Sequence, residues 1–278
     1  GERRCPHHTA AGNSQGTRWA DSTVKPMRLL SALFVVPWHR RSLPARAATS
    51  GITPELPADE SQFGRRDYWD DSYAEEGSSF SWYCSDWNDL APFWEELVPD
   101  KTSKVLVPGV GNDVAIVELF DTGYSTLSCF DYAPEGVARA RELFGDTRLK
   151  SPGGGGGTVD LRVADARSLP YGDSTFDAVF EKGTLDSVFL SGGKDKKVGT
   201  EQLRLAVSEL SRVVRNGGIV MSVSTPATRY IDTAFAAETA GDGRPRWKQL
   251  RDGDVHITAD GFATINVDAT ILAWERTS

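Results

Sequence analysis

The chain has 278 residues, of which 39% are hydrophobic and 25% are charged. This composition excludes a membrane-embedded bundle, a small disulfide-stabilised protein and a largely disordered chain. The formal net charge of −8 is unevenly distributed. Residues 1–54 contain eight Lys or Arg side chains and two acidic ones, a net charge of +6, whereas the remaining 224 residues have a net charge of −14. We therefore expect two different kinds of segment.

The basic segment has the composition of a targeting peptide. No acidic residue occurs from residue 22 to residue 54, and small residues follow the apolar run at 29–38. That run is too short to span a membrane, which takes about 20 apolar residues. We expect residues 1–54 to be a disordered targeting segment or a mere basic extension.

The compartment depends on which of these two interpretations holds. The short apolar run suits secretion, whereas the arginines and the absence of acids suit import into a plastid or mitochondrion. Three scattered cysteines indicate that the body of the protein is kept in a reducing compartment. We expect a cytoplasmic protein, or an organellar one if residues 27–50 act as a transit peptide.

An aromatic and acidic segment follows. Nine aromatic side chains lie between residues 68 and 94, and helical spacing relates Trp87, Leu90, Trp94 and Leu97. This spacing predicts a helix that ends before Pro99 and packs its aromatic stripe on a core. We expect residues 55–100 to form an N-terminal helical cap on a domain that spans residues 55–278.

From residue 101 onward, short apolar strands alternate with amphipathic helices. Strands are predicted at 105–110, 126–131, 159–164, 176–181, 218–224, 247–250 and 270–275. Helices are predicted at 113–120, 134–144, 201–214 and 227–237. This alternation predicts an α/β fold with a doubly wound, seven-stranded, mostly parallel sheet, in which the strand-to-helix loops share one edge. The five-glycine run at 153–157 predicts a flexible surface loop.

Three successive strand ends carry residues suited to binding a nucleotide. Gly109 and Gly111 lie between the first strand and its helix, where a tight turn can point amide N–H groups at an anionic ligand. Asp131 ends the second strand, where a carboxylate can accept both hydroxyls of a ribose. Asp165 follows the third strand, where it can accept from an adenine amino group. Val114 stands where a dinucleotide fingerprint needs a small residue, which disfavours a dehydrogenase.

Each of these features also has a purely structural explanation. Asp131 can cap a helix, Asp165 can close a turn, and the glycines can form a tight turn without a ligand. Their occurrence in the correct order at three successive strand ends favours the nucleotide site.

Four motifs extend this pattern. Residues 176–186 read Phe-Asp-Ala-Val-Phe-Glu-Lys-Gly-Thr-Leu-Asp, residues 68–73 read Tyr-Trp-Asp-Asp-Ser-Tyr, residues 109–112 read Gly-Val-Gly-Asn, and residues 211–218 read Ser-Arg-Val-Val-Arg-Asn-Gly-Gly. In these motifs the chain resembles the class I S-adenosylmethionine-dependent methyltransferases, which have a Rossmann-like fold. More narrowly, it resembles the eukaryotic methyltransferase-like family that includes lysine methyltransferases of translation elongation factor 1-alpha. Residues 226–269 have no counterpart in this resemblance.

The resemblance implies a binding site for S-adenosylmethionine. Gly109, with Gly111 beside it, would leave room for the methionine portion of the cofactor. Lys182 would approach that portion through its backbone. Asp131 would bind the ribose hydroxyls, with Tyr132 beside the adenine.

The same resemblance implies further roles in the cap and on later loops. Asp165 and Ala166 would contact the adenine edge, and Trp69 and Tyr73 would close over the cofactor from the N-terminal segment. Asp186 is the candidate catalytic residue, as a polar group that faces the substrate. A helix cap is the alternative role for Asp186.

The implied reaction is the in-line transfer of a methyl group to a lysine amine of a protein. The acidic body would attract a basic protein substrate such as a translation factor. Two alternatives stay open: a methyltransferase acting on N, O or S atoms of a small molecule, and a cofactor-binding partner subunit without activity. We expect no nucleic-acid partner, no metal site and, in the mature form, no membrane association.

Overall fold

The computed structural model describes residues 60–74, 83, 86–149, 157–225, 227–258 and 268–278. The predicted targeting segment, two of the aromatic residues of the cap (Phe80 and Trp82) and the five-glycine run except Gly157 lie outside the described residues. The domain boundaries expected after residues 54 and 100 stay predictions. Among the described residues, no helix is both long enough and apolar enough to cross a membrane.

Within the described residues, seven strands form one sheet. Their bounds are Lys104–Pro108 (β1), Thr126–Asp131 (β2), Thr158–Val163 (β3), Phe176–Lys182 (β4), Val214–Ser224 (β5), Trp247–Thr258 (β6) and Asp268–Arg276 (β7). The order across the sheet is β3-β2-β1-β4-β5-β7-β6. Strands β1 to β5 run parallel, and β7 is antiparallel to both β5 and β6. The prediction of a seven-stranded, mostly parallel, Rossmann-like sheet is confirmed.

Helices cover both faces of this sheet. Their bounds are Arg66–Ala74 (α1), Trp87–Leu97 (α2), Val114–Asp121 (α3), Pro134–Leu149 (α4), Thr184–Leu190 (α5), Lys196–Val213 (α6) and Thr228–Ala237 (α7), and a short 3₁₀ helix, Glu60–Gly64, precedes α1. Apolar side chains of α2, α3 and α4 pack on one face, and those of α5, α6 and α7 pack on the other. The central strand β1 is buried on both faces, with Val105 and Val107 in the first cluster and Leu106 in the second.

The aromatic stripe of the cap packs as predicted. Helix α2 has the predicted bounds, and the Asp86 side chain caps its start by accepting from the Asn88 amide at 2.8 Å. Trp87 and Trp94 are buried and place their rings edge-on to Phe180 of β4, with centroids 5.6 and 5.4 Å apart. These aromatic contacts hold the cap helix against the middle of the sheet.

The structure differs from the prediction at α5 and α6. Helix α5 was not predicted, because it has only seven residues and follows directly on β4. Helix α6 begins at Lys196 rather than at residue 201, since Asp195 caps it. Within α6, a Cβ at Gly199 would lie 2.4 Å from the Phe189 carbonyl oxygen, so glycine permits the close approach of α5 and α6. Strand β6 also runs beyond its predicted end at residue 250, because it pairs along β7.

Candidate active site

A cavity opens at the carboxyl edge of the sheet, beside the ends of β1, β2, β3 and β4. The space between the lining atoms is about 790 Å³, which includes the part that is open to solvent. Nine residues predicted from the sequence line this cavity together: Trp69, Tyr73, Gly109, Gly111, Asp131, Tyr132, Asp165, Ala166 and Lys182. The predicted catalytic residue, Asp186, does not line it.

The turn after β1 depends on two glycines. Gly109 and Gly111 have left-handed φ angles of 61° and 44°. A Cβ at Gly109 would lie 2.1 Å from Thr184 Oγ1, and a Cβ at Gly111 would lie 2.4 Å from Tyr73 Oη. Both the backbone conformation and the close neighbours therefore require glycine at these positions.

Asp131 lies at the floor of the cavity and is only 3% exposed. Its carboxylate accepts hydrogen bonds from the Gly111 amide at 3.1 Å and the Ala133 amide at 2.9 Å. Burial raises the pKa of this carboxyl to about 6, although the backbone hydrogen bonds act in the opposite direction. A carboxylate has about four lone-pair positions, and the amides of Gly111, Ala133 and Tyr132 occupy up to three of them, so at least one remains for a further donor. A hydroxyl, such as one of a ribose, fits this group.

Two aromatic side chains of α1 form one wall of the cavity. The rings of Trp69 and Tyr73 stack with centroids 5.6 Å apart, and Trp69 Nε1 donates to the Phe63 carbonyl at 2.7 Å. Arg139 of α4 donates to the Tyr73 carbonyl at 2.7 Å, which ties α1 to the domain. Burial, and then the charge of Asp131, raises the pKa of the Tyr73 phenol, which therefore stays protonated and able to donate.

Arg167 holds the loop after β3. Its Nε and backbone amide donate to Asp165 Oδ1 at 2.8 and 2.9 Å, and its Nη2 lies 2.5 Å from Oδ2. These hydrogen bonds keep the pKa of Asp165 below its ordinary value although the residue is half-buried. Arg167 also donates to Gln202 of α6 at 2.5 Å. The loop that carries Asp165 and Ala166 is therefore braced by an arginine to which the sequence analysis gave no role.

Lys182, at the end of β4, forms an ion pair with Asp113. The distance from Nζ to Oδ2 is 2.9 Å, and the two side chains are 4% and 13% exposed. Asp113 also caps α3 by accepting from the Ala115 amide at 3.2 Å. Both charged residues line the cavity. The sequence predicted a role for the Lys182 backbone, and the structure adds that its side chain ties the end of β4 to the start of α3.

Asp186, in the first turn of α5, is fully buried beside the end of β5. Its Oδ1 accepts from Ser224 Oγ and from the Ala227 amide, both at 2.8 Å, and its Oδ2 accepts from Tyr83 Oη at 3.1 Å. Burial raises the pKa of this carboxyl to about 6, while the hydrogen bonds oppose that rise. Its contacts are thus with the cap and the end of β5, and a direct contact with substrate stays a prediction.

A second fully buried acid, Glu181, lies behind the cavity. Its Oε1 accepts from the Leu185 amide at 2.9 Å, and its Oε2 is hydrogen-bonded to Ser222 Oγ. Burial, and then the charge of Asp186, raises the pKa of Glu181 to about 8. The protonated side chain joins β4, β5 and the first turn of α5.

The sequence analysis missed the contribution of α5 to the cavity. Thr184, Ser187, Val188 and Ser191 line it and recur at the spacing of one helix face. That spacing could have identified them if α5 had been recognised. Gly64 also lines the cavity, and no comparable signal marks it in the sequence.

Comparisons with known proteins agree with this fold. A family model described as "Methyltransferase domain" matches residues 106–222. EEF1A lysine methyltransferase 4 of Mus musculus is 29% identical over 185 residues, which cover 64% of this chain and 67% of that protein. The eEF1A lysine and N-terminal methyltransferase of Mus musculus is 28% identical over 180 residues, which cover 64% of this chain. The matched part is 24% of the length of that second relative.

Two solved structures share the fold. The N-methyltransferase NodS from Bradyrhizobium japonicum WM9, in complex with S-adenosyl-L-homocysteine, has a TM-score of 0.53 and 10% identity, and covers 77% of this chain and 98% of that one. Magnesium protoporphyrin IX methyltransferase from Synechocystis, with bound S-adenosylmethionine, has a TM-score of 0.51 and 15% identity. The match covers 81% of this chain and 100% of that one. The strand order and these two structures show a Rossmann-like class I methyltransferase fold, and the matched family model and the relatives show that the chain is similar to S-adenosylmethionine-dependent methyltransferases.

Proposed function

We propose that this methyltransferase modifies a lysine side chain of a protein. The observation that carries the proposal is the similarity to two relatives whose names specify lysine methylation of elongation factor 1-alpha. Elongation factor 1-alpha is therefore the first protein to test as a substrate. The net charge of −14 on residues 55–278 supports a basic partner, because it would attract such a protein over a long range.

In this proposal the cofactor lies across the ends of β1, β2 and β3. Asp131 accepts from a ribose hydroxyl with a lone pair that the backbone amides leave open. The turn at Gly109 and Gly111 lies beside the methionine portion, and the lack of a Cβ at both positions leaves room for Thr184 and Tyr73, which line the same cavity. Asp165 and Ala166 lie beside the adenine, on the loop that Arg167 braces.

The remaining cavity residues enclose the cofactor and hold it in place. Trp69 and Tyr73 cover the cofactor from α1 and exclude water, and Tyr132 packs beside the adenine. Lys182 and its partner Asp113 fix the distance between the end of β4 and the start of α3, where the methionine portion would lie. S-adenosylmethionine, when bound, supplies a methyl group activated by its sulfonium sulfur.

The chain must also supply an acceptor amine in its neutral form. A lysine amine with an unperturbed pKa near 10.4 is mostly protonated at neutral pH. Transfer of that amine from water to the cavity rim disfavours the ammonium form. The protein then contributes mainly alignment, which can be worth about 7 to 11 kcal/mol in a displacement between two bound groups.

The test uses a purified candidate substrate and, in parallel, a whole-cell extract that contains many possible substrates. The full chain is incubated with tritiated S-adenosylmethionine and either purified elongation factor 1-alpha or a whole-cell extract, and mass spectrometry locates the modified residue. Asp131→Asn serves as the control, because it keeps the size of a buried cavity residue while removing its charge. We expect label on a lysine of a protein with the wild type, and much less label with the variant.

Two results would refute the proposal. Label confined to the small-molecule fraction of the extract would assign the enzyme a small-molecule acceptor. Cofactor binding in calorimetry without any label in either fraction would indicate the inactive partner subunit. A third result, equal labelling by wild type and Asp131→Asn, would contradict only the proposed contact between Asp131 and the ribose.

We further infer that residues 27–50 direct the enzyme to an organelle. The absence of acids from residue 22 to residue 54 and the arginines of this segment support the inference. A fluorescent protein fused behind residues 1–54 should enter plastids or mitochondria, and a fusion in which the arginines of residues 28–46 are replaced by glutamate should not. A diffuse cytoplasmic signal from the first fusion would contradict targeting.

A further inference from the structure

Arg167 lies on the loop after β3 and lines the cofactor cavity together with its neighbours Asp165 and Ala166. Both neighbours have a proposed contact with the adenine of the cofactor, whereas Arg167 has none. Adenine carries no charge, so it does not itself need a cationic partner. The guanidinium group instead binds protein groups on two sides, Asp165 in the same loop and Gln202 in α6.

Among the described residues, only Arg167 donates hydrogen bonds to the carboxylate of Asp165. Its Nε and its backbone amide donate to Oδ1 at 2.8 and 2.9 Å, and its Nη2 donates to Oδ2 at 2.5 Å. A carboxylate has about four lone-pair positions, so these bonds fill both positions of Oδ1 and one of Oδ2. One lone pair of Oδ2 stays open, on a side chain that lines the cavity and is 40% exposed.

The shape of the guanidinium group fixes the orientation of this carboxylate. The group is planar, and two parallel N–H bonds to the two oxygens of one carboxylate hold the plane of that carboxylate as well as its position. Arg167 is itself anchored, because its Nη1 donates to Oε1 of Gln202 at 2.5 Å. The orientation of Asp165 thus depends on a chain of hydrogen bonds that starts at α6.

The carboxyl of Asp165 can only accept hydrogen bonds at neutral pH. Hydrogen bonding by Arg167 holds the pKa of Asp165 below its ordinary value, although burial acts in the opposite direction. The 6-amino group of adenine donates hydrogen bonds, whereas a 6-oxo group on a purine only accepts them. An ionised carboxylate with one open lone pair therefore accepts from the first base and repels the oxo group of the second.

We propose that Arg167 is the positioning residue that makes the cofactor site selective for a 6-aminopurine. It acts through Asp165, whose carboxylate it holds in the orientation that receives the amino group, and Gln202 supports it from α6. This inference rests on the proposed function, which places the adenine beside Asp165. It does not depend on which acceptor receives the methyl group.

Arg162 and Asp160 of β3 provide a matched control pair. They are two positions apart, as Arg167 and Asp165 are, and Arg162 Nε donates to Asp160 Oδ2 at 2.5 Å. Their side chains are 47% and 40% exposed, and neither lines the cavity. Arg162→Met therefore removes an arginine–aspartate pair of the same spacing and leaves the cavity lining unchanged.

The experiment measures the binding of two ligands to the full chain by calorimetry. The ligands are S-adenosylhomocysteine and S-inosylhomocysteine, which differ in having an amino or an oxo group at position 6 of the purine. The readout is the ratio of the two dissociation constants, because a general loss of stability weakens both ligands alike. We expect the wild type to bind S-adenosylhomocysteine at least about tenfold more tightly, as a hydrogen bond to a charged group implies.

The variants separate the positioning role from structure and charge. In Arg167→Met the ratio should fall to within about threefold of one, whereas Arg162→Met should keep the wild-type ratio. Arg167→Lys keeps the charge but cannot form two parallel bonds, so its ratio should fall nearly as far. Asp165→Asn gains an amide group that can donate to the oxo group, so its ratio should fall to about one or below. Thermal unfolding of each variant confirms that it is folded at the temperature of the measurement.

Four outcomes would overturn the inference. A wild-type ratio near one would refute the placement of the adenine beside Asp165. The wild-type ratio in Arg167→Met, with a reduced ratio in Asp165→Asn, would refute the role of Arg167 alone. The wild-type ratio in Arg167→Lys would show that charge suffices without the fork, and an equal fall in Arg162→Met would assign the effect to β3. No acceptor is present in these measurements, so a failure of the proposed lysine substrate leaves the ratios unchanged.

Discussion

Replacement of Glu181 by Gln is expected to flatten the dependence of stability on pH. Glu181 is fully buried and accepts from the Leu185 amide, and burial raises its pKa from 4.5 to about 8. Gln has nearly the same shape and keeps a carbonyl oxygen for Leu185 and an amide group for the Ser222 hydroxyl. The substitution therefore removes the titration and leaves the packing in place.

The sign and the size of this effect of pH on stability follow from the state, folded or unfolded, in which Glu181 keeps its proton. The unfolded chain releases the Glu181 proton near pH 4.5, whereas the folded protein keeps it up to about pH 8. The folded state is favoured most below pH 4.5, and this advantage declines progressively as the pH rises from 4.5 to about 8, where the folded protein also releases the proton. Between pH 5 and pH 8 the loss from this one group amounts to about 3 to 4 kcal/mol of unfolding free energy. For a domain of this size that is roughly 10 °C in Tm.

The assay is thermal unfolding without cofactor at pH 5 and pH 8, at constant ionic strength. The Tm of the wild type should fall by roughly 10 °C more than that of Glu181→Gln over this interval. Asp131 and Asp186 also have raised pKa values, so the Tm of Glu181→Gln still falls as the pH rises, but less steeply than that of the wild type. Glu209→Gln is the control, because hydrogen bonding to Arg212 lowers the pKa of Glu209 and leaves it ionised throughout the interval. Its Tm should fall with pH as steeply as that of the wild type.

Equal slopes for wild type and Glu181→Gln would refute this reasoning. Glu181 would then be ionised in the folded protein at pH 5. A fall in the Tm of the variant at both pH values, with the slope unchanged, would show only that the amide packs less well than the acid.

Three further predictions concern the cofactor cavity. Gly109→Ala should weaken S-adenosylmethionine binding at least about tenfold in calorimetry, whereas Gly145→Ala, with a similar φ of 66° and no atom within 4 Å of its Cβ, should leave the affinity unchanged. Asp131→Asn should weaken binding by roughly 10- to 100-fold, the worth of hydrogen bonds to a charged group. Lys182→Met should lower the unfolding free energy in urea by about 3 to 5 kcal/mol, because Asp113 loses its buried partner. Asp113→Asn in the Lys182→Met background should restore part of that loss, and no restoration would contradict the ion-pair argument.

Much of the fold could be predicted from local sequence, because strands and helices each leave a characteristic pattern of apolar residues. The apolar runs and helical stripes identified more than half of every strand except β6, and all of α2. Asp131 and Asp165 could be placed because strand ends of a parallel sheet share one edge, and both line the same cavity.

Features that depend on distant contacts left no such signal. The pair of Lys182 and Asp113 forms only when β1 and β4 lie side by side. Gly199 permits the close approach of α5 to α6, and this role also depends on a contact between two helices. Asp186 was expected to face the substrate, and its partner Tyr83 lies more than 100 positions away in the chain.

Helix α5 contributes side chains both to the cavity and to the contacts at the end of β5. Thr184, Ser187 and Val188 line the cavity, and Asp186 accepts hydrogen bonds from Ser224 at the end of β5 and from the Ala227 amide before α7. Successive residues of a helix differ by about 100° around its axis, so an insertion or deletion of one residue would rotate one set of side chains into the place of the other. The length and phase of α5 are therefore constrained, because the cavity and the contacts with β5 depend on the same two turns.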